Sequence, residues 1–226
     1  MKISFRHGWA MLSAAVLSLT ALPLSAVSSI TSLSAAAAAA PVVENLDRGI
    51  VAIKSGNGML VSWRFLASDP TGTEFRLYRD DQLLMTSKGD EATCFYDESG
   101  SASARYRVDS LVNGTVQTTS TCSLISGTDY FQIPMDVPTA SDCTYSPNDC
   151  SVGDVDGDGV YELFVKWDPS NSKDNSQKGK TGNVYIDCYK LTGEKLWRID
   201  MGKNIRAGAH YTQFLVADFD GDGYAE

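Results

Sequence analysis

Apolar and polar residues alternate in short runs along most of the chain, and turn-forming residues separate the runs. In the first half, the runs predict strands at residues 49–54, 59–66, 74–79, 104–112 and 115–119. Tight turns are predicted between the first two runs at Ser55-Gly56-Asn57-Gly58, after the third run at Asp80-Asp81, and between the last two at Asn113-Gly114. The pattern predicts an antiparallel β-sandwich-like domain of about 80 residues. Trp63 lies in the middle of a predicted strand and is expected in the core.

The second half has the same alternation with longer connections. It predicts strands at residues 161–167, 183–191, 195–200 and 209–217. A polar loop at residues 168–181 follows the first of these strands, and loops of that length are usually functional or disordered. The whole chain is therefore predicted to be all-β. Its predicted parts are a β-sheet (fibronectin-III-like) domain at 41–128, a linker at 129–145 and a second β domain at 146–226.

Residues 1–40 have the composition of a secretory signal peptide. Two cations and no acidic residue accompany an apolar run from Trp9 to about Leu24, and a tract of Ser, Thr and Ala follows. A membrane anchor is the alternative, but Pro23 and several serines interrupt the run, which is short for a spanning helix of about 20 residues. The sequence predicts a secreted, extracellular protein that has no membrane contact once the signal is removed.

The five cysteines all lie after this segment, where an oxidising exterior allows disulfides. An odd number leaves at least one thiol unpaired within the chain. No Cys-x-x-Cys pair is present, so a structural zinc site has little support. We interpret the cysteines as small buried hydrophobic residues with at most one bridge.

Composition and charge narrow the class of protein. With 43% hydrophobic and 10% aromatic residues, the chain has enough apolar surface for a core and is not wholly disordered. The 28 acidic residues outnumber the 19 Lys and Arg residues, for a net charge of -9. Nonspecific nucleic-acid binding needs a surplus of cations, so a DNA or RNA partner is excluded.

Two acidic segments, DVDGDGVYE and DFDGDGYAE, begin 64 residues apart. In each, carboxylates occupy positions 1, 3, 5 and 9, and glycine at position 6 permits a tight turn that points alternate oxygens at one centre. Calcium prefers six to eight such hard oxygen ligands. The predicted ligands are Asp154, Asp156, Asp158, the Val160 carbonyl and Glu162 in the first loop, and Asp218, Asp220, Asp222, the Tyr224 carbonyl and Glu226 in the second.

Other interpretations of the acidic loops fit less well. An EF-hand needs a bidentate acid at position 12, where the first loop has Val165 in an apolar strand. Solvated acidic turns would not be expected to repeat both spacing and strand context. A 64-residue spacing fits loops between blades of a β-propeller. With eight loop carboxylates bound to calcium, residues 151–226 keep nine cations against five acids, which suits a polyanionic partner.

Several segments resemble the rhamnogalacturonan lyases of polysaccharide lyase family 11. The resemblance is carried by residues 44–53 and 61–65 in the first half and by 148–149, 151–162, 166–177 (KWDPSNSKDNSQ), 181–189, 195–200 and 202–214 (GKNIRAGAHYTQF) in the second. It implies that 146–226 begins an eight-bladed, calcium-binding β-propeller. Because the second acidic loop stops where the first runs into a strand, we expect an N-terminal fragment that is inactive alone.

The resemblance also implies an activity. Its substrate would be rhamnogalacturonan I, a pectin chain that alternates L-rhamnose and D-galacturonate, and its reaction β-elimination at the galacturonate. A base removes the C5 proton, the C4 oxygen leaves, and cations neutralise the charge that develops beside the carboxylate. The alternative function is a noncatalytic calcium-binding propeller module for glycan binding or adhesion. The KWDPSNSKDNSQ loop favours the lyase, and a monomer is expected.

The resemblance assigns roles to three residues. Asn148 and Asp168 fall where family members contact a rhamnose unit, and Asp149 is expected as an additional calcium ligand beside the first loop. From the residues themselves, an Asx turn ahead of Pro169 is the alternative for Asp168, and a turn after Pro147 is the alternative for Asn148.

No catalytic residue is assigned. His210 could be a general base, but it lies in an alternating run and could equally be a hydrogen-bonded core histidine. Lys166 and Arg206 could contact the uronate, with solvated surface positions as the alternative.

Overall fold

The computed structural model of the chain describes residues 45–88 and 90–226. The predicted signal peptide lies outside the described residues. Within them, no helix is long and apolar enough to cross a membrane. Twelve strands form the described fold: β1 Val51–Ser55, β2 Gly58–Ser62, β3 Glu74–Arg79, β4 Gln82–Lys88, β5 Cys94–Asp97, β6 Tyr106–Val112, β7 Thr115–Thr121, β8 Leu124–Ser126, β9 Tyr145–Gly153, β10 Glu162–Pro169, β11 Tyr185–Tyr189 and β12 Lys195–Asp200.

These strands form three four-stranded sheets, in the orders β5-β2-β1-β8, β4-β3-β6-β7 and β12-β11-β10-β9. The first two sheets share one apolar core because alternate residues of each strand point inward. Its members include Ala52, Val61, Trp63, Phe75 and Val108. The predicted core position of Trp63 is confirmed, since only 4% of this residue is exposed.

The turn chemistry of the first half is confirmed in detail. Asp80 and Asp81 both have positive φ, as do Asn113 and Gly114, which is the conformation that two-residue hairpin turns require. One part of the topology differs from the prediction. Strand β8 pairs with β1 in parallel, so this edge is not antiparallel. Strands β4, β5, β8 and β9 were not predicted, because their residues are mostly exposed or half-buried and do not alternate cleanly.

The third sheet is a meander in which each strand pairs with the next along the chain. Its core contains Tyr145, Val165, Trp167 and Tyr189. A fully buried carboxylate, that of Asp187, accepts hydrogen bonds at 2.7–2.8 Å from the Trp167 indole, the Tyr189 hydroxyl and the Arg198 guanidinium. Because this charge has a cation and two further donors, it stabilises one arrangement of the sheet.

The predicted strand at residues 209–217 and the predicted burial of most cysteines are wrong. Residues 209–217 form turns and irregular structure, with Thr212 at a φ of 55°, because alternation alone does not supply a pairing partner. The five cysteines are all free, which is within the expectation of at most one bridge. The expected burial is wrong for four of them, because Cys94 and Cys150 are exposed and Cys122 and Cys143 are half-buried. Cys188 is fully buried, and burial raises the pKa of its thiol to about 12.

The first domain contacts the third sheet through a small set of residues that we call the clasp: Asp47, Arg64, Gly159 and Tyr161. The Asp47 amide donates to the Gly159 carbonyl at 2.9 Å. The Arg64 guanidinium lies 4.4 Å from the centre of the Tyr161 ring and 3.4 Å from the Asp47 carboxylate. The clasp therefore fixes the first acidic loop, which contains Gly159, against the N-terminal domain.

Candidate metal loops and sugar-binding strands

The first acidic loop joins β9 to β10 and is held by its own carboxylates. Asp154 accepts hydrogen bonds from the amides of Gly157 at 2.7 Å and Gly159 at 2.8 Å. Glu162 accepts one from the Val155 amide at 2.9 Å. Both glycines have positive φ, which lets the chain turn tightly enough for these contacts.

The second loop repeats the arrangement position by position. Asp218 accepts from Gly221 at 2.7 Å and Gly223 at 2.9 Å, and Glu226 accepts from the Phe219 amide at 2.9 Å. The two loops therefore have the same backbone conformation, as the repeated spacing predicts.

Each acidic loop brings several carboxylate oxygens, which are potential metal ligands, close to one another. Carboxylate oxygens of Asp154, Asp156 and Glu162 lie within 4.8 Å of one another. In the second loop the corresponding group has four members, namely Asp218, Asp220, Asp222 and Glu226. Every donor in both groups is a hard oxygen, the ligand type that suits calcium or magnesium. The Val160 and Tyr224 amides donate to Asp158 and Asp222 at 2.8 and 2.9 Å, which places those residues in the same turns.

The first loop buries negative charge. Asp154 and Glu162 are each 1% exposed, and in the described part of the chain no Lys or Arg pairs with either of them. Burial raises the pKa of Glu162, and the charges of Asp156 and Asp158 raise it further. Since unpaired buried carboxylates are costly, this pair is suited to hold a cation.

One cation of the chain does approach the loop. The Lys190 ammonium lies 2.5 Å from an Asp156 oxygen and 3.3 Å from an Asp158 oxygen. The Lys190 hydrogen bond lowers the pKa of Asp156. Asp158, a predicted ligand, lies outside the first group of converging carboxylates. Sequence reasoning missed Lys190, although the Leu163–Tyr189 pairing of β10 and β11 would have placed it beside the end of the loop.

The two loops also touch each other. The Ala225 amide donates to the Asp154 carbonyl at 2.7 Å. The Tyr224 ring lies over Gly157 so closely that a Cβ at that position would come within 2.7 Å of a ring carbon. Two segments that are distant in sequence are thus packed side by side.

A β-bulge shapes the strands beside the first loop. Pro147 pairs with Trp167 and Cys150 with Val165, so Asn148 and Asp149 together lie opposite the single residue Lys166. Lys166 is 3% exposed and its ammonium pairs with the Asp149 carboxylate. The structure therefore joins Asp149 to Lys166 and does not bring it to the carboxylates of the first loop. The solvated-surface alternative for Lys166 is wrong.

Asn148 and Asp168 lie on the neighbouring strands β9 and β10. Asp168 pairs with Ser146, two residues from Asn148, and the bulge leaves Asn148 exposed. The Asp168 carboxylate is half-buried and accepts the Ser172 hydroxyl at 3.0 Å. The Asn148 amide can donate hydrogen bonds to sugar hydroxyls and accept them, and the Asp168 carboxylate can accept them.

The long loop folds back on the segment that carries His210. His210 is 70% exposed at its side chain and its Nδ1 lies 2.7 Å from Asp174, so the core-histidine interpretation is wrong. The His210 hydrogen bond lowers the pKa of Asp174. Arg206 donates to backbone carbonyls of Lys173 and Asp174 at 3.1 and 3.3 Å and to that of Gln177, so it holds the loop instead of forming a solvated surface.

Comparison with known families gives two matches in chain order. Residues 41–124 match the family described as "Rhamnogalacturonan I lyases beta-sheet domain". Residues 130–226 match "Rhamnogalacturonan lyase family 11, C-terminal domain". Together the matches span both the first domain and the region of the acidic loops.

Two curated relatives from Bacillus subtilis (strain 168) are similar over most of the chain. One is the rhamnogalacturonan endolyase YesW, 54% identical over 194 residues, which are 83% of this chain and 31% of that protein. The other is the rhamnogalacturonan exolyase YesX, 47% identical over 190 residues, 81% of this chain and 31% of that protein. The chain spans about a third of the length of these relatives.

Two solved structures are similar to the chain in both fold and sequence. The crystal structure of YesW superposes with a TM-score of 0.73 at 53% identity over 83% of this chain and 33% of that one. A Bacillus licheniformis rhamnogalacturonan lyase superposes with a TM-score of 0.66 at 49% identity over 81% of this chain and 32% of that one. At these identities and TM-scores, the chain shares its fold with the matched part of both structures.

Proposed function

The chain belongs to rhamnogalacturonan lyase family 11, and from that premise we propose that the protein is a secreted, calcium-dependent lyase that cleaves the rhamnogalacturonan I backbone of pectin by β-elimination at galacturonate. The observation that carries the proposal is the match of both family domains, in order, along one chain. Its acidic loops and sugar-binding strands lie within the matched regions.

The calcium part of the proposal rests on the buried charge of the first loop. Asp154, Asp156 and Glu162 would hold one ion, and the four carboxylates of the second loop another. A bound calcium ion would supply the positive charge that these carboxylates lack. The chain's own contribution is the backbone, because the glycine amides already orient both oxygens of Asp154.

The substrate part rests on the strands next to that loop. Asn148 and Asp168 would bind hydroxyl groups of a rhamnose unit. The Lys166–Asp149 ion pair would keep the bulge in shape, since the buried ammonium has a partner on the bulged strand. In the elimination itself, the C5 proton goes to a base, the C4–O bond breaks, and an unsaturated uronate remains.

The propeller part rests on the third sheet. A meander of four sequential antiparallel strands, followed by a second acidic loop, has the form of a first blade and the connection to the next. The sheet also packs its own core, as a blade does.

A chimaera tests the activity. Residues 41–226 would replace the matching segment of the B. subtilis endolyase, and the unsaturated product would be followed by its ultraviolet absorbance with rhamnogalacturonan I as substrate. We expect product with calcium and a loss of activity with a chelator. A folded chimaera that binds the polymer and forms no product would contradict the lyase and favour the noncatalytic module.

The same chimaera tests the sugar contacts. Asn148→Ala and Asp168→Ala should each lower kcat/KM about tenfold or more, because an amide or carboxylate hydrogen bond to the sugar is lost. Ser172→Ala serves as the matched control, since it removes only the partner of Asp168. Equal activity of all three variants and the parent would refute the assignment.

A further inference from the structure

A second charged feature lies away from the acidic loops. The long loop and the segment after β12 enclose a surface cleft of about 470 Å³, which we call the basic cleft. Six residues line it: Gly179, Lys180, Thr181, Lys203, Asn204 and Arg206. Three of the six are cations and none is an acid.

The charge around the cleft is not neutralised by the chain. Residues 169–181 and 201–212 together contain five Lys or Arg side chains and one acid, Asp174. That acid is engaged by His210 at 2.7 Å. Among the residues that the structure describes, neither Lys180 nor Lys203 forms an ion pair, and both are exposed. In a chain of net charge -9, this is a concentrated positive surface.

Arg206 makes the cleft a built feature instead of a group of mobile side chains. Its Nε and Nη2 groups donate to three backbone carbonyls of the long loop, those of Lys173, Asp174 and Gln177. These bonds leave the two N–H groups of Nη1 for another acceptor. Neutral carbonyls hold the guanidinium in place without cancelling its charge, so it can still attract an anion.

The loop that carries the cleft is itself fixed. The Lys173 amide donates to the Ala207 carbonyl at 2.9 Å, and the Ala207 amide donates to the Thr181 hydroxyl at 3.0 Å. Gly208 is needed at this crossing, because a Cβ there would lie 2.4 Å from the Lys173 carbonyl oxygen. The two walls of the cleft are therefore held together, which lowers the cost of ordering them around a ligand.

We propose that the basic cleft is an accessory binding site for the carboxylate of a uronate unit in an acidic polysaccharide. The inference rests on the proposed function, since Asp168 lies at the end of β10, just before the same loop, and would hold another part of the polysaccharide. A uronate carries one carboxylate per sugar, which suits one guanidinium and two ammonium groups. The site would contribute to the affinity for the polymer without taking part in bond cleavage.

Binding of the full chain to rhamnogalacturonan I tests the proposal by calorimetry. The Lys180→Gln/Lys203→Gln double variant should bind about three- to tenfold more weakly, because each exposed cation contributes modestly. Its salt dependence should also become shallower. The matched control is Lys54→Gln/Lys88→Gln, which removes two exposed ammonium groups from the first domain and should bind as the parent does.

The same measurement with rhamnogalacturonan I whose carboxyl groups have been reduced identifies the ligand group. The parent should bind this neutral polymer as weakly as the Lys180/Lys203 variant binds the native one. Equal affinity of both double variants for the native polymer overturns the basic cleft and leaves the lyase proposal standing. Equal competition by inorganic sulfate and by oligogalacturonate also overturns it, because the cleft would then not distinguish a uronate from any anion.

Discussion

The two acidic loops have the same backbone and different surroundings. In each, the first Asp accepts two glycine amides and the final Glu accepts one. The first loop buries its Asp and Glu, receives Lys190 and contacts the N-terminal domain. The second leaves Asp220, Asp222 and Glu226 exposed. The nine-residue motif therefore determines the conformation of the loop, whereas the rest of the chain determines its electrostatic environment.

Removing the first Asp of each loop should give the largest contrast. Asp154→Ala should lower the free energy of unfolding in calcium by about 3 kcal/mol, because the Gly157 amide and the buried Gly159 amide lose a charged acceptor. Asp218→Ala should lower it by about 1 kcal/mol, since water can replace the carboxylate. Urea unfolding with calcium and with a chelator measures both. Equal losses would show that burial of the first loop has no energetic consequence.

The next largest difference in stability is expected from the glycines at the sixth position of each loop, which form a matched pair. Gly159 and Gly223 have φ values of 85° and 95°, so alanine is strained at both. Only at Gly159 would the added Cβ also lie 3.0 Å from the Asp47 amide nitrogen. We expect Gly159→Ala to destabilise by about 2 kcal/mol and Gly223→Ala by about 1 kcal/mol, measured as above. The reverse order would contradict the contact between loop and N-terminal domain.

Replacing Lys190 should have a smaller effect, which is measured as a change in the calcium affinity of the first loop. Its ammonium competes for Asp156 and Asp158, so Lys190→Met should strengthen calcium binding by the first loop about two- to fivefold. Calorimetry in an Asp218→Ala background isolates that loop, and the second loop, studied in an Asp154→Ala background, is the control. Weaker binding in the Met variant would mean that Lys190 organises the carboxylates instead of competing for them.

The smallest expected effect is on the pH dependence of the free energy of unfolding of the calcium-free chain. Burial raises the folded-state pKa of Glu162 above its ordinary value of 4.5, so the folded chain holds this proton more tightly than the unfolded chain does. The resulting stability is complete below the ordinary pKa and is lost as the pH rises through the folded-state pKa. Glu162→Gln should therefore remove this component from the pH profile of unfolding. A profile identical to that of the parent would show that the carboxyl group is not desolvated.

The sequence predicted those features that depend on only a few neighbouring residues, such as turns and the conformation of the acidic loops. Asp80-Asp81 and Asn113-Gly114 are turns because these residues tolerate positive φ. The repeated Asp and Gly spacing predicted a tight turn in both acidic loops, and the amide hydrogen bonds to the first Asp of each loop close within the motif. Strands β3 and β12 have the predicted bounds, and burial alternates along the first four residues of β3.

Features that depend on a partner strand or on a distant segment could not be predicted from the sequence. The parallel pairing of β8 with β1 and the irregular course of residues 209–217 follow from which neighbours are available. The bulge that places Asp149 on Lys166 needs the register of β9 against β10, which alternation does not encode. The engagement of His210 by Asp174 joins residues 36 positions apart. These contacts decide which predicted residues meet.

The clasp affects how the chain unfolds. The carbonyl of Gly159 accepts a hydrogen bond from the Asp47 amide, and the amide of Gly159 donates one to the Asp154 carboxylate. One residue therefore joins the N-terminal domain to a buried carboxylate of the third sheet. Two domains connected only by a linker would unfold as separate units, but the shared residue Gly159 makes each domain lose a hydrogen-bond partner when the other unfolds. The described chain should accordingly denature as one cooperative unit, and an ion bound at the first loop would protect the N-terminal sheets from proteases that never reach the loop.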